Sequence, residues 1–151
     1  MSEHPRHVVA VTGFVTDAKQ RVLLVRVADR GWEMPGGQVE TGESLLDALR
    51  REVEEESGCR IEIDKLTGIY SKVTPPEMVL HLFRARHVDG EAEAREKAVP
   101  EVGWFAPDEA RRLVSHPPSA RRLADAMSDS DVIFYRVYRL HPYEALVDEA
   151  I

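Results

Sequence analysis

The sequence predicts a single α/β domain spanning residues 1–151, and three observations lead to this fold class. Strand-like runs rich in β-branched residues alternate with helical segments along the whole chain. One helix near the middle carries clear start and stop signals. The length of 151 residues suits about one domain with one sizeable core, and no internal repeat or low-complexity linker divides it.

The first elements are a predicted hairpin and a tight loop. Residues 7–15, HVVAVTGFV, and residues 21–27, RVLLVRV, are rich in β-branched residues, and the polar turn Asp17–Gln20 separates them. The stretch from Gly31 to Gly37 combines one proline with paired glycines, which favours a tight loop over a regular element. Loops of this shape often border functional sites.

The clearest predicted helix runs from Ser44 to Ser57. Ser44 can act as the N-cap with Asp47 three residues later, and Gly58 is well placed to end the helix at C′. At 100° per residue, four apolar side chains form one stripe that we expect to face the core: Leu45, Leu46, Leu49 and Val53.

The remaining elements alternate between strands and helices. We expect strands at about Ile61–Tyr70, Met78–His87 and Val102–Phe105, a polar loop over 89–98, helices over Pro107–Val114 and Ser119–Met127, and a last strand, VIFYRVYRL, from Val132.

Composition excludes several classes of protein. No apolar run approaches the ~20 residues of a membrane-spanning helix, and the N-terminus lacks the pattern of a secretory signal. We therefore expect a soluble, cytoplasmic protein. Cys59 is the single cysteine, which excludes an internal disulfide. The net charge of −7 argues against nucleic-acid or membrane partners, because both kinds of surface attract clustered Lys and Arg.

Three glutamates of the predicted helix stand out by their spacing. Glu52, Glu55 and Glu56 lie at i, i+3 and i+4, within reach of one or two hard cations. Glu56 falls about 20° from Leu49 on the helical wheel and Glu52 about 60° from it, so both continue the inward-facing edge. Carboxylates at a helix C-terminus also oppose the macrodipole, at ~0.3–1 kcal/mol each. Seen alone, such an acidic run is usually a solvated helix face, but an oxygen-only cluster suits Mg²⁺.

The context of these glutamates is a recognisable motif. From Gly37 to Cys59 the chain has the sequence GQVETGESLLDALRREVEEESGC, which resembles the Nudix box. Every polar and glycine position of the box matches. Cys59 replaces the usual aliphatic residue at the last apolar position, where cysteine still packs as a small hydrophobe, so we expect no effect on activity. The flanking segments WEMPGG and EVGWFAPDEA also resemble the family.

This resemblance implies a fold and a reaction. The fold is an α/β/α sandwich with a mixed β-sheet. The reaction is Mg²⁺-dependent hydrolysis, with Mn²⁺ as an alternative cofactor, in which water attacks a phosphorus of a small-molecule nucleotide substrate. In such substrates a nucleoside diphosphate is linked to another moiety. Glu52, Glu55 and Glu56 would hold the metal, which would lower the pKa of the attacking water.

The resemblance also suggests supporting roles. Arg51 and Glu43 would pair and brace the loop-helix-loop, while Gly36 and Gly37 would let the backbone approach metal and phosphates closely. Two residues are candidates for the general base, Glu52 and Glu101. Glu101 precedes Trp104 by three residues and could instead be a further metal ligand or an ordinary surface residue.

Substrate contacts are less defined by the sequence. Four rings could stack on a base or equally belong to the core: Trp32, Tyr70, Trp104 and Phe105. Arg26 and Arg84 are candidate phosphate contacts. Pro75 and Pro76 lie where ADP-ribose-cleaving members of the family tend to carry a proline, although a turn explains them equally well. ADP-ribose and ordinary or oxidised nucleoside triphosphates all stay open as substrates.

Two alternatives accompany this interpretation. The domain could be a non-catalytic module that senses a nucleotide, although such a module would usually have lost some ligands. The segment VIFYRVYRL, within the C-terminal residues 131–151, could present an exposed strand edge that forms a homodimer. The six histidines show no metal-ligand spacing, and no nucleophile motif supports covalent catalysis.

Overall fold

A computed structural model describes residues 3–128 and 130–151. Within these residues the chain forms nine strands and three helices. In chain order they are β1 Val8–Thr16, β2 Val22–Val27, β3 Gly31–Glu33, β4 Gly36–Gln38, α1 Leu45–Ser57, β5 Arg60–Lys72, β6 Met78–Asp89, β7 Glu101–Phe105, α2 Pro107–Leu113, α3 Pro117–Met127, β8 Phe134–Arg139 and β9 Glu144–Ala150.

The strands form one mixed sheet. Its main order is β3-β2-β1-β6-β5-β8-β9, with β4 paired to β1 and β7 paired to β2. The pairs β1–β6 and β5–β8 are parallel, and the other pairs are antiparallel. The mixed α/β fold expected from the sequence is therefore confirmed.

Apolar residues pack on both faces of this sheet. Along β1, Val11 and Val15 join the cluster that contains Leu49 of α1, whereas Ala10 and Phe14 join the cluster beneath α2 and α3. Side chains of a strand alternate between the two faces, so the helices cover opposite sides of the sheet. This arrangement is the α/β/α sandwich.

Helix α1 begins and ends as predicted. The Asp47 backbone N–H donates to Ser44 Oγ at 3.1 Å, and Gly58 ends the helix in the left-handed conformation with φ 78°. One residue of the expected apolar stripe was assigned wrongly: Leu46 is exposed, and Ala48 is buried instead. Leu46 lies at the margin of the stripe, about 60° from Leu49, where the helix turns away from the sheet.

Two other expectations are corrected by strand pairing. The stretch predicted as an irregular loop contains β3 and β4, because Gly36–Gln38 pairs antiparallel with β1. The segment VIFYRVYRL is not an exposed edge: β8 lies between β5 and β9, and the mostly exposed strand β9, which was not predicted, forms that edge of the sheet. Helix α3 also starts earlier than expected, at Pro117, because proline is well suited to the first turn of a helix.

Among the described residues, no helix is both long enough and apolar enough to cross a membrane.

Candidate active site

The last two turns of α1 pack against the glycines of β4. Glu56 is 6% exposed, and the Gly36 backbone N–H donates to its Oε1 at 2.9 Å. A Cβ on Gly37 would overlap the Glu52 carboxylate, and a Cβ on Gly36 would overlap the Val11 carbonyl oxygen. At Gly36 the obstacle is the backbone of β1, so a side chain does not fit there, and at Gly37 a side chain would displace the Glu52 carboxylate.

The negative charge around the Glu56 carboxylate exceeds the positive charge that compensates it. Burial is the largest cause that raises the pKa of Glu56 to about 8; the hydrogen bond from Gly36 opposes this shift, and the nearby charges of Glu52, Glu96 and Glu33 add to it. Burial also raises the pKa of Glu52, while its hydrogen bond with Arg51 opposes that shift. The site therefore keeps two neighbouring carboxylates in a place that disfavours their charged forms.

Arg51 joins α1 to the preceding loop. Its Nε and Nη2 donate to the two carboxylate oxygens of Glu43 at 2.7 and 2.9 Å, and Nη2 also donates to the Gln38 carbonyl at 3.1 Å. These hydrogen bonds are the main cause that lowers the pKa of Glu43 to about 2. The fork-to-fork geometry fixes the orientation of the guanidinium.

The same guanidinium also contacts the two other glutamates of the motif that lie beside it. Arg51 Nη1 donates to Glu52 at 2.9 Å and to Glu55 at 3.2 Å, and the Glu55 side chain is 50% exposed. The structure thus brings Glu52 and Glu56 together beside β4 and leaves Glu55 at the solvent side. Among the described residues, no three Asp, Glu, His or Cys side chains converge in a metal-binding geometry.

The donor set nevertheless fits a hard cation. Glu52 and Glu56 supply carboxylate oxygens, the ligands that Mg²⁺ prefers. A cation between them would also offset the repulsion and burial that raise the pKa of both groups. Glu55 lies at the solvent side of this pair, and its Oε2 accepts a hydrogen bond from Arg51.

A cavity of about 290 Å³ opens next to these glycines. Apolar side chains such as Met34, Leu80 and Tyr138 form part of its wall. Its charged and polar lining comes from dispersed segments of the chain: Arg30, Glu33, Lys72, His116, Ser119 and Arg122. A concave, partly apolar pocket with a few polar groups is the usual form of a small-molecule site.

The comparison with known families agrees with this arrangement. The model of the NUDIX domain matches residues 6–127. The chain belongs to the Nudix family. It is 39% identical over 124 residues to a MutT-like protein of Streptomyces ambofaciens, an alignment that covers 82% of this chain and 79% of the relative. These matches identify the protein as a Nudix hydrolase.

Two further relatives extend the comparison. An oxidized purine nucleoside triphosphate hydrolase of Mus musculus is 37% identical over 98 residues, which cover 60% of this chain and 61% of that protein. The crystal structure of a mutator MutT protein from Bacillus halodurans superposes with a TM-score of 0.77 at 28% identity, covering 95% of this chain and 97% of that one. The family match ends at residue 127, before β8 and β9.

Two acidic residues of this Nudix hydrolase differ in their relation to Glu52 and Glu56. Glu96, in the loop before β7, carries a charge that raises the pKa of both carboxylates. Glu101 lies on β7 with its side chain 56% exposed, and it accepts a hydrogen bond from Arg26 at 3.0 Å. Sequence reasoning missed Glu96 because nothing distinguishes it from the other charged residues of its loop.

The other sequence candidates lie mainly in the structural framework. Arg84 donates to the Ala126 and Ser128 carbonyls at 2.7 and 3.2 Å and so caps the end of α3. All four candidate rings pack in or against the core, which was the other role considered for them: Trp32, Tyr70, Trp104 and Phe105. Pro75 and Pro76 lie in the turn between β5 and β6.

Proposed function

We propose that this Nudix hydrolase is a Mg²⁺-dependent pyrophosphohydrolase that acts on a nucleoside diphosphate linked to another moiety. Water attacks a phosphorus, and Mn²⁺ is an alternative cofactor. The observation that carries the proposal is Glu56, a buried carboxylate held by Gly36 and adjacent to Glu52. The charged form of this buried carboxylate costs stability, and a bound cation would offset that cost.

Several residues would bind the metal and the phosphates. Glu52 and Glu56 would hold the ion, with Glu55 joining them from the solvent side and Glu96 from its loop. When bound, the ion would neutralise phosphate charge and lower the pKa of a water molecule. Gly36 and Gly37 would let phosphate oxygens approach the backbone. Arg51, fixed by Glu43, would orient Glu52.

The general base is a choice between two candidates. Glu52 is half-buried, and its raised pKa brings it nearer to the range in which a carboxylate accepts a proton effectively. Glu101 is the second candidate, and its ion pair with Arg26 would have to open for it to act. The two candidates are separated by measuring the pH dependence of turnover for Glu101→Gln and for Glu52→Gln. If only one variant loses the acidic limb of the pH–rate profile, the substituted residue is the base.

The relatives narrow the substrates to test first. The mouse relative is named for oxidised purine nucleoside triphosphates, which makes this class the first choice. Ordinary nucleoside triphosphates and ADP-ribose follow. Because that alignment covers only 61% of the mouse protein, the transfer of its substrate to this chain is part of the proposal.

The test is release of phosphate, pyrophosphate or mononucleotide from nucleoside triphosphates, 8-oxo-dGTP, ADP-ribose and dinucleoside polyphosphates, with and without Mg²⁺. We expect cleavage only with the metal and a large loss in Glu56→Gln. The matched control is Glu54→Gln, because Glu54 is exposed on the same helix. Tight binding without cleavage across the panel would instead support the nucleotide-sensing module.

The remaining predictions concern the cellular setting. A cytoplasmic location and the absence of nucleic-acid and membrane partners stay predictions from composition. If the protein forms a homodimer through a strand edge at the C-terminal side, β9 is the strand that offers it.

A further inference from the structure

The cavity beside β4 differs in charge from the rest of the protein. The chain as a whole has a net charge of −7. The cavity, in contrast, is lined by Arg30, Lys72, Arg122 and His116, and by a single carboxylate, that of Glu33. A concentration of positive charge in an acidic protein favours an anionic ligand at that place.

The single carboxylate is already engaged. Arg30 donates from Nε and Nη2 to the two oxygens of Glu33, at 3.0 and 2.9 Å. Ser119 Oγ adds a longer hydrogen bond of 3.4 Å to the same carboxylate. The negative charge of Glu33 therefore compensates the positive charge of Arg30. The other basic side chains of the cavity gain little from this carboxylate.

Arg122 and Lys72 have no such compensation. In the described part of the chain neither forms an ion pair, and the hydrogen bond of Arg122 is a long one of 3.3 Å to the neutral Ser119 hydroxyl. Arg122 Nη1 is buried without a hydrogen-bond partner. The Arg122 guanidinium also lies over the Tyr70 ring, 5.9 Å from its centroid, but this contact brings no negative charge. A half-buried cation without an anionic partner loses hydration that the protein replaces only in part.

The effect of this charge is visible at His116. Burial lowers the pKa of His116, and the positive charges of Arg122 and Arg30 lower it further. The histidine thus adds a neutral group to the wall at neutral pH, and the net excess of two positive charges comes from Lys72 and Arg122.

We propose that the group filling this cavity carries a phosphate of its own, bound by Lys72 and Arg122, in addition to the pyrophosphate held beside Glu52 and Glu56. The inference rests on the proposed function, because it assigns the far end of the same substrate. An uncharged base or sugar would leave both cations uncompensated, whereas a phosphomonoester would accept charge-assisted hydrogen bonds from them. The substrate class is therefore a pyrophosphate linked to a phosphorylated nucleoside or sugar, which differs from the oxidised purine nucleoside triphosphates for which the mouse relative is named.

Matched pairs of substrates test the proposal. Coenzyme A differs from dephospho-coenzyme A, and NADPH from NADH, by one phosphomonoester outside the pyrophosphate. We expect the phosphorylated member of at least one pair to have the higher kcat/KM by about tenfold or more, the effect of one charge-assisted contact. Arg122→Gln should remove this preference, and Arg121→Gln should keep it, because Arg121 is exposed and does not line the cavity.

A binding experiment keeps the inference separate from hydrolysis. Titration calorimetry would compare adenosine 3′,5′-bisphosphate with adenosine 5′-monophosphate, and we expect about tenfold tighter binding of the bisphosphate. Lys72→Gln is the second variant, in case Arg122→Gln lowers the melting temperature. If the protein prefers the bisphosphate but hydrolyses no pyrophosphate, phosphate binding in the cavity would be supported and the proposed function would be overturned.

The inference has clear contrary results. Equal affinities for the two nucleotides, together with no preference in either substrate pair, would overturn it. It would also be overturned if Arg122→Gln and Lys72→Gln lowered kcat/KM equally for both members of a pair, because the two cations would then serve the scissile pyrophosphate itself.

Discussion

Two arginines in this protein bind carboxylates in opposite ways. Arg136 of β8 is 8% exposed and donates to both oxygens of Asp125 at 2.7 Å and to Asp148 at 2.9 Å. Tyr70 also donates to Asp125, at 2.7 Å. The Arg51 side chain is 24% exposed and donates hydrogen bonds to Glu43, Glu52 and Glu55. It does not pair with Glu56.

This difference distinguishes a structural network from the site that we propose for a cation. Arg136 and Arg121 both bring positive charge to Asp125, so the charges compensate one another and the pair with Arg136 joins α3 to β8. Around Glu56 the nearby glutamates repel, and its pKa rises to about 8. Loss of one partner of the first arrangement would leave a buried charge uncompensated, whereas the second arrangement would be stabilised by the cation that we propose for it.

The largest effect is expected from Glu56→Gln. We expect turnover to fall about a thousandfold or more, since the variant loses a metal-binding oxygen with its charge. Without metal, the same change should stabilise the fold at alkaline pH. The folded pKa of about 8 lies above the usual 4.5, so ionisation costs stability as pH rises through that interval.

Two measurements check this pair of outcomes. Steady-state rates with Mg²⁺ give the first, and thermal melts in EDTA at pH 5 and pH 9 give the second. The wild type should lose stability between the two pH values more than the variant does. If Glu56→Gln retained wild-type turnover, Glu56 would not be part of the active site.

A smaller effect, on folding, is expected from Asp125→Asn. The substitution leaves Arg136 buried beside a neutral amide, which should lower the free energy of unfolding by about 3 kcal/mol. Urea unfolding at pH 7 measures the loss. Arg121→Gln is the control, because its guanidinium reaches Asp125 only at 3.7 Å from an exposed position. An unchanged unfolding midpoint in Asp125→Asn would mean that the network is not a source of stability.

These two regions also differ in how far the sequence predicts them. The caps of α1 and its inward-facing glutamates follow from local spacing, so Glu56 was placed correctly from residue periodicity alone. The pairing of Asp125 with Arg136 depends on β8 lying parallel to β5 beneath α3, which no local pattern specifies. The cavity could not be predicted for the same reason, because Lys72 and Arg122 are distant in sequence and line the same cavity only in the folded chain.

Short strands were missed for a related reason. The glycines of β4 favour a turn by local propensity, but pairing with β1 overrides that tendency. Strand β9 is mostly exposed and carries three acidic residues among its seven, and its pairing with β8 makes it a strand.

Glu43→Gln tests how much the orientation of Arg51 matters. We expect kcat/KM to fall about tenfold, because Glu43 holds Arg51 without touching the metal-binding oxygens of Glu56. The pKa of Glu43 is lowered to about 2, below its usual 4.5. Its stabilising effect is therefore complete above pH 4.5 and is lost as pH falls from 4.5 towards 2.

The free energy of unfolding of the wild type and of Glu43→Gln, measured at pH 7 and pH 2.5, checks the sign of this pH dependence. The wild type should be more stable than Glu43→Gln at pH 7, and the difference should shrink at pH 2.5. Glu40→Gln is the control, since Glu40 is largely exposed and reaches Arg51 only at 3.9 Å. A difference that persists unchanged at pH 2.5 would rule out the ion pair as its cause.

The smallest effect is expected from Asp148→Asn, within the same network as Asp125. Asp148 lies on the edge strand β9 with its side chain 47% exposed, so water screens its contact with Arg136. We expect the free energy of unfolding to fall by less than about 1 kcal/mol, and by still less in 1 M NaCl. Because Asp125 retains both of its hydrogen bonds to Arg136, the buried half of the network should survive. A loss as large as that of Asp125→Asn would show that the edge strand, and not the buried pair, holds β8 to the sheet.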